Sequence, residues 1–169
     1  MFDFHLSATF KPDLYAQLIE AADAVTAGEP DPIANMANLS ALLMEALPDL
    51  NWAGFYRNLG GELVLGPFQG KAACIRIAFG RGVCGTAAAT REVQLVDDVH
   101  AFPGHIACDA ASRSELVVPI VHEGELVGVL DLDSPSPARF DGEDATGCSE
   151  LIQKLAGRLA HMAEIPPMR

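Results

Sequence analysis

The chain has 169 residues, half of them hydrophobic, and a net charge of -12. That length suits one hydrophobic core rather than several, and an excess of acid without any basic stretch excludes nucleic acid and anionic membrane surfaces as main partners. No apolar run reaches the length of a membrane span, and the opening MFDFHLSATFKPD lacks the basic start and apolar segment of a secretory leader. A cytoplasmic protein is expected, whose four cysteines act as thiols or transient disulfides rather than permanent staples.

Residues 1–48 read as helices. Pro12 and Asp13 open a segment in which Leu14, Leu18, Ala22 and Val25 return at helical spacing, and Gly28 stops it. A second helix has Asp31 as its cap and Pro32 in its first turn, runs through Ile33, Ala37, Ser40, Leu43 and Leu47, and ends near Pro48.

Residues 50–134 change to a period of two. Asn51 to Arg57 and Glu62 to Gln69 read as strands joined at Gly60 and Gly61, Ala73 to Phe79 as a third strand, Thr86 to Thr90 as a short helical piece, and Gln94 to Val96 as a brief strand. His100 to Ser112 reads as a long loop with one helical turn, of the kind that lines a site. Leu116 to Val121 and Leu126 to Leu132 form a hairpin turning at Glu123 and Gly124, expected at the centre of the sheet. Residues 141–163 hold a closing helix with a stripe of Cys148, Leu151, Leu155, Leu159 and Met162. The sum is one α+β domain over residues 1–169, a largely antiparallel sheet with helices packed on one face.

Gly80, Gly82 and Gly85 spell GxGxxG. A dinucleotide reading fails because the helix after it is short, the strands look antiparallel, and Asp97 and Asp98 come too early for a ribose contact. The glycines instead permit a tight turn that brings Cys84 and backbone amides near a ligand.

Cys148 lies on an apolar stripe and is set aside as a packing residue. Cys108, after His105 in the irregular loop, is the best nucleophile candidate, because amides of a helical turn there would stabilise a thiolate. Cys74 at the start of a strand and Cys84 after the glycine turn are both candidates to meet it, and spacing does not choose between them. Structural zinc normally shows close pairs such as CxxC, and the only such pair here is His105 with Cys108, so no metal site is expected.

Asp131 and Asp133 share a strand face with Val127 and Val129. Burial and mutual repulsion would raise the pKa of at least one of them, unless the strand ends by Asp131 and both acids lie in a solvated loop. Glu115 is harder to place: a two-residue turn at Glu123 and Gly124 pairs Ser114 with Asp133 and leaves Glu115 on the opposite face, so a bulge or a late strand start is needed to bring it into the pocket. Trp52 and Tyr56, either side of Gly54, wall such a pocket or pack as ordinary core.

The segments NWAGFY at 51–56, LGPFQGKAACIRI at 65–77, GRGVCGTAAA at 80–89, HIACDAASRSELVVPI at 105–120 and GVLDLDSP at 128–135 closely resemble the free methionine-(R)-sulfoxide reductases, which are GAF-domain enzymes. The resemblance implies a six-stranded, mainly antiparallel sheet with the N-terminal and C-terminal helices on one face and a loop-lined pocket on the other. It implies reduction of free L-methionine (R)-sulfoxide to methionine through a cysteine sulfenic acid and an intramolecular disulfide recycled by thioredoxin, and a homodimer. The family's nucleophile falls on Cys108, its resolving cysteine on Cys74, its third cysteine on Cys84, its pocket acids on Glu115, Asp131 and Asp133, and its aromatic wall on Trp52 and Tyr56.

In that chemistry a sulfoxide needs an acid opposite the attacking thiolate, and a protonated Glu115 or Asp133 supplies it. The remaining acids receive the substrate's ammonium, and backbone amides around Ile106, Ala107 and Cys108 its carboxylate. No metal or organic cofactor is required. The main rival is a non-catalytic GAF sensor that binds a small molecule or cyclic nucleotide; a redox-switch interaction protein is a third reading.

Overall fold

The computed structural model describes residue 6 and residues 8–104 and 110–160. Pro12 in its first turn starts helix α1 (Lys11–Val25). Helix α2 (Pro32–Ala46) is capped by the Asp31 side chain, which accepts from the Ile33 amide at 2.8 Å, satisfying one of the donors a helix start leaves open. The strands are β1 (Trp52–Asn58), β2 (Glu62–Gly70), β3 (Arg76–Ala78), β4 (Gln94–Val96), β5 (Ser114–His122) and β6 (Glu125–Ser134), with α3 (Gly82–Thr90) between β3 and β4 and α4 (Gly142–Ala160) last. A 3-10 turn spans Val99–Ala101.

The strands form one six-stranded sheet in the order β3-β2-β1-β6-β5-β4, each neighbouring pair antiparallel. The expected α+β architecture is therefore met. The β5–β6 hairpin is present, but β1 and β6 hold the middle, with β5 one place out. β3 and β4 occupy opposite edges, so α3 does not join parallel neighbours and no dinucleotide-type βαβ unit exists here.

Each face of the sheet is apolar for a different reason. Ala53 and Phe55 of β1, Leu116, Val118 and Ile120 of β5, and Leu130 and Leu132 of β6 pack against α1, α2 and α4 through Leu18, Leu39, Leu43, Leu151 and Leu155, all buried. Alternation sends their neighbours to the other face, where Trp52, Tyr56, Val117 and Val129 meet Val83, Cys84, Ala87 and Ala88 of α3. The scaffold helices thus leave that second face to α3 and the loops.

At one end of the scaffold, Tyr15 of α1 donates to Asp144 of α4 at 2.9 Å, and Lys11 and Arg139 reach the same carboxylate at 2.7 and 3.2 Å. Cys148 sits beneath, fully buried, donating to the Tyr15 hydroxyl at 3.7 Å, its thiol pushed up to about 12 by burial. It belongs to the packing of α1 on α4, far from any thiolate chemistry. Met162 of the expected stripe lies outside the described residues.

Candidate active site

The acids converge because of one extra residue. Beside the turn at Glu123 and Gly124, His122 pairs with Glu125 and Val121 with Leu126, but Ile120 pairs with Gly128, so β6 bulges at Val127. From there to the strand ends every partner is shifted by one, and Glu115 stands opposite Asp133 with Val117 opposite Asp131. The bulge turns Val127 to the helix face and Leu126 to the site face, which corrects the expectation that Val127 shares a face with the two acids. β6 runs on to Ser134, so neither acid lies in a loop; Asp131 is 6% exposed, Glu115 is 7% exposed and Asp133 is half-buried at the rim.

A second bulge builds the aromatic wall. Tyr56 pairs with Leu65 while Gly54 pairs with Phe68, so β2 carries an extra residue at Gly66 and Pro67 that swings Phe68 onto the face of Leu65. The Trp52 ring stacks on Phe68 at 5.2 Å and on Tyr56 at 5.9 Å. It lies over Gly54, where a methyl group would meet Phe68 at 2.3 Å and the indole at 2.7 Å. Trp52 is opposite Asp133 and Gly54 opposite Asp131, so wall and acids adjoin. Alternation along a single strand reveals neither Phe68 nor the role of Gly54. The run LGPFQG held the signal, a glycine and a proline inside a strand.

The cysteines separate into distinct environments. Helix α3 begins at Gly82, earlier than the sequence pattern implied, and Cys84 lies in its first turn rather than in a glycine loop. Gly85 lets that helix dock on β3, since a methyl group there would stand 2.4 Å from the Ala78 carbonyl oxygen. The Cys84 thiol then points at the acids and donates to Glu115 Oε1 at 3.8 Å. Cys74 precedes β3, which is only Arg76–Ala78, instead of starting a strand at Ala73. It is half-buried and takes part in a disulfide, whereas Cys84 and Cys148 are free. The Tyr56 hydroxyl donates to the Cys74 carbonyl at 3.0 Å, which ties the aromatic wall to that cysteine's backbone. Ile106, Ala107 and Cys108 lie outside the described residues.

Electrostatics in this pocket favour protons over charge. A helix N-terminus lowers a thiol pKa, yet Cys84 is held well above its ordinary value by burial and by the negative potential of Asp131 and Glu115. Glu115 is also raised well above the usual carboxylate range, first by burial and then by Asp131 and Asp133. Burial pushes Asp131 up to about 7 despite stabilising hydrogen bonds from Cys84 and Glu115. Desolvation and like-charge repulsion exceed the dipole because they act across a buried cluster, and the first turn of a short helix is worth only about 0.3–1 kcal/mol in exposed sites. The pocket is therefore a store of protons at neutral pH.

One sulfur and two carboxylates in this cluster also qualify as metal ligands, since one donor atom each from Cys84, Glu115 and Asp131 lies within 4.8 Å of the others.

A family model described as GAF domain matches residues 34–158. The free methionine-R-sulfoxide reductase of Escherichia coli is 54% identical over 89% of this chain and 91% of its own length. That of Saccharomyces cerevisiae is 44% identical over 86% and 83%. The solved free methionine-R-sulfoxide reductase of Neisseria meningitidis in complex with its substrate superposes with a TM-score of 0.90 at 47% identity, covering 94% of this chain and 96% of that one. The chain belongs to the free methionine-R-sulfoxide reductase family of GAF domains. Cys74, Cys84, Glu115, Asp131, Asp133, Trp52 and Tyr56 all fall inside the GAF match. In this free methionine-R-sulfoxide reductase fold the site therefore occupies the sheet face opposite α1, α2 and α4.

Proposed function

We propose that the chain reduces free L-methionine (R)-sulfoxide to methionine with its own thiols, and that thioredoxin restores it. The observation that carries this is the convergence of Glu115, Asp131 and Cys84, buried and proton-rich, beside the Trp52, Tyr56 and Phe68 wall. The reductase names of relatives that align along nearly their whole length support it.

In this reading the substrate's S-methyl group packs on the indole of Trp52, and the ammonium is received by Asp131 and Asp133. The substrate carboxylate meets backbone amides of Ile106, Ala107 and Cys108. Glu115 keeps its proton and gives it to the sulfoxide oxygen, which makes the sulfur electrophilic. Cys108 attacks as thiolate, and the oxygen passes to it, so methionine leaves and a sulfenic acid remains. Cys74 condenses with that sulfenic acid, releasing water and forming a disulfide that a thioredoxin dithiol reduces.

Cys84 is unsuited to attack, because burial and two acids hold it as a neutral thiol, and the thiolate is the nucleophile. Its role is to donate a hydrogen bond to Glu115. Pairing of Cys74 with Cys108 is supported by the engagement of Cys74 in a disulfide while Cys84 and Cys148 stay free. No described helix is long and apolar enough to cross a membrane. A cytoplasmic homodimer of single GAF-type domains, working without metal or organic cofactor, completes the reading.

A thioredoxin-coupled NADPH assay tests it. Oxidation of NADPH with the free (R) epimer, and little with the (S) epimer or a peptide-bound sulfoxide, is expected. No turnover of the (R) epimer, together with ligand binding that survives replacement of Cys74, Cys84 and Cys108, would establish a sensor instead.

A further inference from the structure

We propose that Cys84, Glu115 and Asp131 also form a binding site for a thiophilic divalent cation, Zn2+ above all, which occupies the pocket in competition with the substrate. The geometry suits that ion. Tetrahedral Zn2+ with Zn–S near about 2.3 Å and Zn–O near about 2.0 Å places sulfur and oxygen ligands about 3.5 Å apart. Cys84 Sγ and Glu115 Oε1 are already 3.8 Å apart, and the donor atoms of all three residues lie within 4.8 Å of one another.

A second observation on Asp131 points to a missing partner. Its Oδ1 is buried without a hydrogen bond in a residue only 6% exposed. An orphaned buried acceptor is costly, and a cation removes that cost. One sulfur with two carboxylates from rigid elements also fits Zn2+ better than Mg2+ or Ca2+, which demand six or more oxygens.

The three ligands come from α3, β5 and β6, with no two close in sequence, so spacing rules for structural zinc overlook them. Three protein ligands leave a fourth position open, beside half-buried Asp133 at the rim. On binding, each protonated ligand releases its proton to solvent, and no electrons move. An ion held there removes the Glu115 proton and fills the place of the substrate's ammonium.

The test uses the full chain carrying Cys74→Ser and Cys108→Ser, which leaves Cys84 and Cys148 as its thiols. Cd2+ is titrated in and the ultraviolet thiolate-to-cadmium band recorded, with Zn2+ stoichiometry from calorimetry. One ion per chain and a saturable band are expected. Adding Cys84→Ala should abolish the band and weaken binding by at least roughly a hundredfold, and Asp131→Asn should weaken it by at least roughly tenfold. Cys148→Ser should change neither. Retention of the band in Cys84→Ala, or loss of it in Cys148→Ser, would overturn the proposal, as would the absence of saturable binding in variants with native circular dichroism. Saturating free methionine (R)-sulfoxide should raise the apparent Kd for Cd2+, and an unchanged Kd would overturn the competition.

Discussion

Glu115 stands directly opposite Asp133 across β5 and β6, and it does so because β6 carries one residue more than the hairpin turn dictates. Without the bulge at Val127, Glu115 would face α1, α2 and α4, an unpaired carboxylate in their apolar core. With it, Glu115 joins two other acids and retains its proton. Fold and chemistry meet at that one inserted residue.

Glu115→Gln keeps the shape and a donor group but removes the transferable proton. A fall in kcat of roughly a hundred- to ten-thousandfold is expected, with KM changed far less. Steady-state kinetics on the free (R) epimer check it, and an unchanged kcat assigns the proton to another group, Asp133→Asn being the next variant to measure.

Asp131 makes stability depend on pH in a defined direction. Its carboxyl is raised from 3.8 to about 7, so between those values the folded chain holds a proton that the unfolded chain has released. The contribution is fully present below 3.8 and is lost as pH rises through about 7. At about 1.4 kcal/mol per pKa unit the loss amounts to a few kcal/mol. Asp131→Asn should flatten this decline, leaving a residual slope in the same direction from Glu115, and Tm measured across that window for both proteins reads the difference.

Gly54→Ala places a methyl group 2.3 Å from Phe68 and 2.7 Å from the Trp52 ring. The indole must leave its position, so destabilisation of about 1–3 kcal/mol and a raised KM for the free substrate are expected. Denaturant unfolding and kinetics check the two effects separately.

Tyr56→Phe removes the hydrogen bond to the Cys74 carbonyl. A stability loss of about 1 kcal/mol is expected, with slower turnover under thioredoxin recycling and an unchanged first turnover. Equal slowing of both would place Tyr56 in the chemical step rather than in holding Cys74.

Helices α1, α2 and α4 and the β5–β6 hairpin are legible in the sequence because Pro32, Asp31, the Glu123 and Gly124 turn and the Leu151, Leu155 and Leu159 stripe act locally. The position of Glu115 was legible only as a condition, since alternation counts residues on one strand and a bulge is a property of a pair. For the same reason alternation alone puts Val127 on the wrong face and gives no sign of Phe68. The early start of α3 is hidden by two glycines, poor helix formers: Gly82 has a positive φ of 61°, and Gly85 approaches the Ala78 carbonyl of β3 too closely for a side chain. The grouping of Cys84 with Glu115 and Asp131 joins three separate elements and has no signature in spacing at all.

In the proposed cycle Cys108 attacks, Cys74 resolves and Cys84 remains a protonated bystander beside Glu115. The most direct measurement is a single turnover of fully reduced protein with one equivalent of free methionine (R)-sulfoxide and no reductant, followed by methionine quantification and mass-spectrometric mapping of the sulfurs. About one methionine per chain and a Cys74–Cys108 disulfide are expected, with Cys84→Ser giving the same linkage. No methionine, or a disulfide that contains Cys84, would contradict it.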